Sequence, residues 1–264
     1  MSPEGEDGRR AAAFFDLDKT LMAGSSGMVF ARVASGHGMV SRRQMARWGR
    51  DHLRYRLRGS TDDQTHELLR VARETFRGVP EREIRRMGPE VLAGILPRIY
   101  PEMLSEVHRH QDEGRATFIV SAAGNEIVSQ LAHVLGMEGG IGTSYEVGPD
   151  GLYMGRLNGP FVYGEGKVEA VESFAAEHDI DLDRSYAYSD SASDMPMLRA
   201  VGNPVVVNPD EPLAEVAKAE GWRVLRFEKL GRRIAIAGAT AVAAAVGTLL
   251  ASRRRESPRP RRLR

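Results

Sequence analysis

The sequence Asp16-Leu17-Asp18-Lys19-Thr20 follows directly on the apolar run Ala11 to Phe15. Two carboxylates with one residue between them stand on the same side of an extended chain. At a strand end that turns into a loop, both can face one metal and one phosphate. Asp16 there has the chemistry of a carboxylate nucleophile toward phosphorus. Asp18 can protonate a leaving oxygen and later deprotonate water, and Thr20 fixes the loop. A D-x-D at a loop is also an ordinary solvated turn, so the pair needs company.

Three further stations supply it. Ser121 ends the apolar run Ala116 to Val120 and opens a helix start, so its hydroxyl and neighbouring amides such as that of Ala122 can hold phosphate oxygens. Lys167, in Gly164-Glu165-Gly166-Lys167, can neutralise the Asp16 carboxylate and a phosphate together. Asp190 and Asp194 lie four residues apart after the run Tyr186-Ala187-Tyr188 and can complete an oxygen-only magnesium site with Asp16. Each station alone has a plain structural reading as a cap, a solvated lysine or a polar loop. Their recurrence at successive strand ends is what points to one site.

The elements that must position them read as strands alternating with helices. Apolar runs end at Asp16, Ser121 and Ser189, a further run Pro204 to Val207 ends at Asn208, and Trp222 to Leu225 is a weaker strand. Helical patterns cover Asn125 to Leu135, Lys167 to Glu177 and Glu211 to Glu220. This predicts an α/β fold, a doubly wound parallel sheet with ligands off the carboxyl ends of its strands. Residues 25–94 break the alternation with Arg-rich helical spacing and read as a helical cap inserted after the first strand, leaving 11–24 and 95–228 as the core. Gly139 to Phe161 is glycine-rich with short alternating segments and reads as a hairpin excursion near the site.

Composition narrows the class. With 264 residues, 42% of them hydrophobic, the chain can bury a sizeable core. Thirty-seven Lys and Arg against 36 Asp and Glu give a formal charge of +1, which provides no general field for nucleic acid, so no nucleic-acid partner is expected. The absence of cysteine excludes disulfides, thiolate metal sites and Cys nucleophiles. The acidic start, with Glu4, Glu6 and Asp7, does not read as a secretory signal, and a cytoplasmic location is expected.

In this order and spacing the stations resemble the haloacid dehalogenase-like (HAD) superfamily of phosphatases, over about Ala11 to Phe227. Asp16 to Thr20 is similar to its D-x-D-x-T signature, Ser121 to its phosphate-binding Ser/Thr, Lys167 to its lysine, and Asp190 with Asp194 to its acidic metal loop. The helical insert resembles the cap of subfamily IB, which contains phosphoserine phosphatase. The resemblance implies a HAD-like Rossmannoid core and Mg2+ held by Asp16, the backbone carbonyl of Asp18, Asp190 and Asp194. It also implies hydrolysis of a small phosphorylated metabolite through an aspartyl-phosphate on Asp16. Phosphotransfer by the same intermediate and a non-catalytic regulator on this fold are the alternatives. Two departures bear on substrate: phosphoserine phosphatases carry a glutamate where this chain reads Ala23-Gly24-Ser25-Ser26, and an asparagine where it has Ser193.

Residues 229–252 read as an Ala-rich apolar helix and 253–264 as a basic disordered tail. Ile234 to Ala251 runs 18 residues without a charge between Arg232-Arg233 and Arg253-Arg254-Arg255. That length just reaches a membrane span, but eight of the 18 are alanine. Membrane association and self-association through 234–251 both stay open as expectations.

Overall fold

The computed structural model describes residues 8–39, 70 and 73–227. The segments 229–252 and 253–264, with the 234–251 stretch, lie outside the described residues, as does much of the expected cap. Among the described residues no helix is long and apolar enough to cross a membrane. The sheet belongs to the compact unit Met1–Leu225.

Six parallel strands form that sheet: β1 (Ala12–Asp16), β2 (Ala116–Gly124), β3 (Gly139–Thr143), β6 (Tyr186–Ser189), β7 (Asn203–Val207) and β8 (Arg223–Leu225), in the order β3-β2-β1-β6-β7-β8. The chain runs outward from β1 through β2 to β3, then returns to the other side of β1 as β6. The strand order therefore reverses beside β1, and the crevice such a reversal leaves at the carboxyl edge is where ligands bind in open α/β sheets. All five residues of β1 are buried, as a strand covered on both faces must be.

Alternation along β1 divides its large side chains between the two faces. Phe14 stacks on Phe118 at 5.7 Å, and Phe118 meets Phe174 of helix α5 (Glu165–Glu177) edge-on. Phe15 stacks on Tyr188 at 4.4 Å and meets His110 of helix α3 (Pro101–Asp112). Each such buried ring contributes about 1.5–3 kcal/mol of transfer free energy, so β1 is fixed from both sides. Helices α6 (Met195–Arg199) and α7 (Glu211–Glu220) complete the α5 face. Asp210 caps α7 through Leu213 N–H at 2.9 Å, and Gly221 closes it in the left-handed conformation.

The structure corrects one expectation. Gly139–Thr143 is the sixth strand of the main sheet, not part of a hairpin; the hairpin is only β4 (Tyr145–Val147) with β5 (Tyr153–Leu157). The run Gly-Gly-Ile-Gly-Thr carries little strand propensity, and its glycines serve another purpose. A Cβ at Gly140 would lie 2.9 Å from the Val128 backbone, and one at Gly142 would lie 2.6 Å from Asn125 Cα. Both contacts are with α4 (Asn125–Val134), so bare backbone lets the amino end of α4 lie directly against β3.

Of residues 25–94, the described part holds α1 (Ser26–Gly36) and α2 (Glu81–Ile95). Phe76 packs on Tyr145 and Tyr153 of the hairpin at 4.8 and 5.8 Å.

Candidate active site

Strand register brings the stations together. Asp16 pairs with Val120, so Ser121 stands one step beyond it on β2. On the other side Phe15 pairs with Tyr188, which puts Ser189 level with Asp16 and Asp190 one step beyond. Asp16, Ser121 and Asp190 thus occupy one carboxyl edge, at the reversal of strand order.

Lys167 joins them. Its Nζ donates to Asp16 Oδ1 and to Asp194 Oδ2, both at 2.7 Å, with the lysine side chain only 3% exposed. The turn before it demands glycine. Gly164 has φ 55 and ψ −126, a region open to glycine alone, and Phe161 O leaves no room for a Cβ on Gly166. Ser189 Oγ donates to the same Asp194 oxygen at 2.7 Å.

The loop after β2 is shaped by a bulge. Pairing jumps from Ser121–Gly142 to Gly124–Thr143, so Ala122 and Ala123 leave the ladder, and a bulge of this kind turns backbone groups toward a site. Ser121 Oγ accepts from Ala123 N–H at 3.2 Å. Asp18 Oδ1 accepts from Ser26 N–H, 2.8 Å away, tying this carboxylate to the first turn of α1. Thr20 is fully buried and its Oγ1 reaches Asp190 Oδ1 at a long 3.5 Å.

The charges do not balance. Asp16, Asp190 and Asp194 are all buried, against Lys167 inside and the half-exposed Lys19, whose Nζ is 3.5 Å from Asp190 Oδ2. Burial raises the Asp16 carboxyl well above the carboxylate range; Lys167 pulls it down, and repulsion from Asp194 and Asp190 pushes it up again. Burial likewise lifts Asp190 to about 6, with Lys19 opposing and Asp194 and Asp210 adding. Burial pulls the Lys167 ammonium down, but Asp16 and Asp194 more than reverse it and hold it above the ordinary lysine range.

This excess of buried negative charge, built from oxygen donors alone, fits a hard divalent cation. Among the described residues no three His, Cys, Asp or Glu side chains form a metal-holding group. Asp194, expected as a ligand, spends Oδ2 on Lys167 and Ser189.

Three contributors escaped the sequence reading. Ser189 orients Asp194, and its signal was its place directly before Asp190. Lys19 faces Asp190. Asp210, besides capping α7, donates its N–H to Asp190 O at 3.0 Å and accepts from Ala192 N–H, pinning the acidic loop from both sides; the turn signature Asn208-Pro209-Asp210 marks it.

The chain matches the haloacid dehalogenase-like hydrolases over residues 13–199. It is 37% identical to a probable phosphatase of Mycobacterium tuberculosis across 90% of this chain and 84% of that one. It is 33% identical to a phosphoserine phosphatase of the same organism, covering 92% and 81%, and 32% identical to a histidinol-phosphatase of Neisseria meningitidis, covering 82% and 98%. Its fold superposes on a phosphoserine phosphatase solved as a phospho-aspartyl intermediate analogue with TM-score 0.58 at 17% identity, covering 83% and 93%. With its strand-edge acids and buried lysine already in place, the chain belongs to the haloacid dehalogenase-like hydrolase family, among its phosphoserine phosphatase-like phosphatases.

Proposed function

We propose that the protein hydrolyses a small phosphomonoester in a Mg2+-dependent reaction through an aspartyl-phosphate on Asp16. The observation that carries this reading is Lys167 Nζ, bonded at 2.7 Å to both Asp16 and Asp194 at the reversal point of the sheet.

Lys167 engages Asp16 through Oδ1, which leaves Oδ2 to attack phosphorus. As the new P–O bond forms, the ester P–O bond breaks and Asp18 gives its proton to the departing oxygen. Asp18 then takes a proton from water, whose oxygen attacks phosphorus. The bond to Asp16 breaks, inorganic phosphate leaves and the carboxylate is restored. Ser121 and the amides of the bulge bind the phosphoryl oxygens, and Lys167 holds two anions that would otherwise repel. Mg2+ would be held by Asp16, the Asp18 carbonyl, Asp190 and, through Oδ1, Asp194; when bound it neutralises charge on the phosphoryl oxygens.

The test is phosphate release from a panel headed by phosphoserine and histidinol phosphate, the compounds for which two relatives are named, with Mg2+ or EDTA. Release that needs Mg2+ and disappears in Asp16→Asn supports the reading. Release that survives EDTA or the substitution overturns it, and product that forms only with an added alcohol acceptor makes the enzyme a phosphotransferase.

A further inference from the structure

Lys19 occupies a position that its backbone disfavours. Its φ is +61°, a left-handed conformation in which a Cβ crowds the following carbonyl and which glycine adopts without that penalty. The turn requires it: Leu21 N–H reaches back to Asp16 O and Leu17 O, and Met22 N–H to Leu17 O. This brings the loop round within two residues and buries Thr20. Glycine would make the same turn more cheaply, so the reason for lysine lies in its side chain. Strained residues of this kind cluster at functional sites.

That side chain is 43% exposed, and its ammonium stands 3.5 Å from Asp190 Oδ2. A surface pair of this length adds little to folding, so the strain is not repaid as stability. Asp190 is different: its side chain is 10% exposed, with Asp194 and Asp210 repelling it and Lys19 the largest attraction upon it.

Resting on the Mg2+ reading above, we infer that Lys19 is a stand-in cation: its ammonium holds Asp190 in the metal-free protein and competes with the divalent cation for that carboxylate. Lys19 is thus a positioning residue that sets metal affinity. It weakens metal binding because the ammonium must yield Asp190 and stay nearby as a like charge.

The test is calorimetric titration of the full chain with MgCl2, and separately MnCl2, at constant ionic strength, for the wild type, Lys19→Met, Lys19→Gly and Lys19→Arg. Lys19→Met and Lys19→Gly are expected to bind metal about three- to tenfold more tightly, the order expected for removing one like charge in a partly solvated site. Lys19→Arg should keep wild-type affinity. Melting without metal separates charge from strain: Lys19→Met, which keeps the strained turn and loses the pair, should melt below Lys19→Gly, while both gain more from added Mg2+ than the wild type does. Wild-type binding with unchanged or weaker binding in the Met and Gly variants would overturn the inference and leave the Mg2+ reading standing. No binding by any of the four proteins overturns both.

Discussion

Two clusters of ionisable groups lie on neighbouring residues of the same strand and behave in opposite ways. Ser189 and Asp190 belong to the acid-rich carboxyl edge. Tyr188, one residue earlier, points to the other face, where its hydroxyl donates to Glu106 Oε2 at 2.8 Å and accepts from Arg109 at 3.0 Å. His110 Nε2 lies 2.8 Å from the same hydroxyl, and Arg115 donates to His110 Nδ1 at 2.8 Å; Arg115 thereby assigns the proton to Nε2. Arg223 grips Glu106 at 2.8 and 3.1 Å. Burial raises Glu106, but bonds from Arg223, Arg109 and Tyr188 outweigh it and bring it down to about 2. On this face the carboxylate is surrounded by donors. At the edge, buried acids outnumber their cations, and Asp16 and Asp190 rise instead of falling. Charge balance thus separates a cluster that holds α3 to the sheet from an edge where buried acids exceed their cations.

The sharpest way to break this contrast is to remove the edge groups. Asp16→Asn is expected to lower kcat by about 10³-fold or more, the scale of losing a nucleophile. Lys167→Met should cost about 10²–10³-fold in kcat, the scale of losing one preorganised charge partner. Steady-state phosphate release measures both. A Lys167→Met enzyme within twofold of wild type would mean that the lysine only fills space between two acids.

The donor-rich cluster predicts a pH effect on stability. Burial, with Arg109 and Arg115 beside it, depresses His110 to about 3 from an ordinary 6.5. Below pH 6.5 the unfolded chain takes up a proton that the native His110 refuses until about pH 3, so the His110 contribution to stability should fall as pH falls through that window, against the opposite contribution of the raised Asp16 and Asp190 carboxyls. The slope limit is about 1.4 kcal/mol per pH unit. Glu106 acts in the same direction lower down: its stabilisation, full above pH 4.5, is lost as pH falls toward about 2. Urea unfolding at pH 7, 6, 5 and 4, compared with His110→Asn, checks this; a variant with the wild-type slope would remove His110 as its source.

Gly142→Ala probes how α4 holds the bulged loop after β2. The new Cβ would meet Asn125 Cα at 2.6 Å and Ala123 O at 2.9 Å, so α4 must back away from β3 and carry the bulge with it. A loss of about 1–3 kcal/mol in stability and a raised KM with a smaller change in kcat are expected. Unchanged KM in a destabilised variant would show that the bulge does not depend on this packing.

The site was more legible in the sequence than the frame that holds it. Asp16, Ser121, Lys167 and Asp190 each follow an apolar run or a glycine turn, patterns that local physics writes plainly, and the structure gathers them at one edge. The strand at Gly139–Thr143 was not legible, because its glycines reflect the approach of α4, a tertiary demand that looks locally like a turn. Tyr188 read only as part of an apolar strand; its partners Glu106, Arg109 and Arg223 come from distant segments, and nothing in the local pattern pairs them. Lys19 stood inside the quoted motif, yet its strained φ is visible only once the loop is folded.

The smallest expected effect is also the most discriminating for the inner face. Tyr188→Phe keeps the stack on Phe15 and removes only the hydroxyl that Glu106, Arg109 and His110 share. Glu106 retains Arg109 and Arg223, so its charge stays paired, while His110 Nε2–H loses its acceptor in a buried position. The expected cost is therefore about 1 kcal/mol in urea unfolding, near that of one neutral hydrogen bond. Turnover per folded molecule should stay near wild type, since the ring that supports Asp16 through Phe15 is unchanged. A loss of several kcal/mol would mean that the hydroxyl keystones the whole network. A fall in kcat at intact stability would mean that the two clusters communicate through β6.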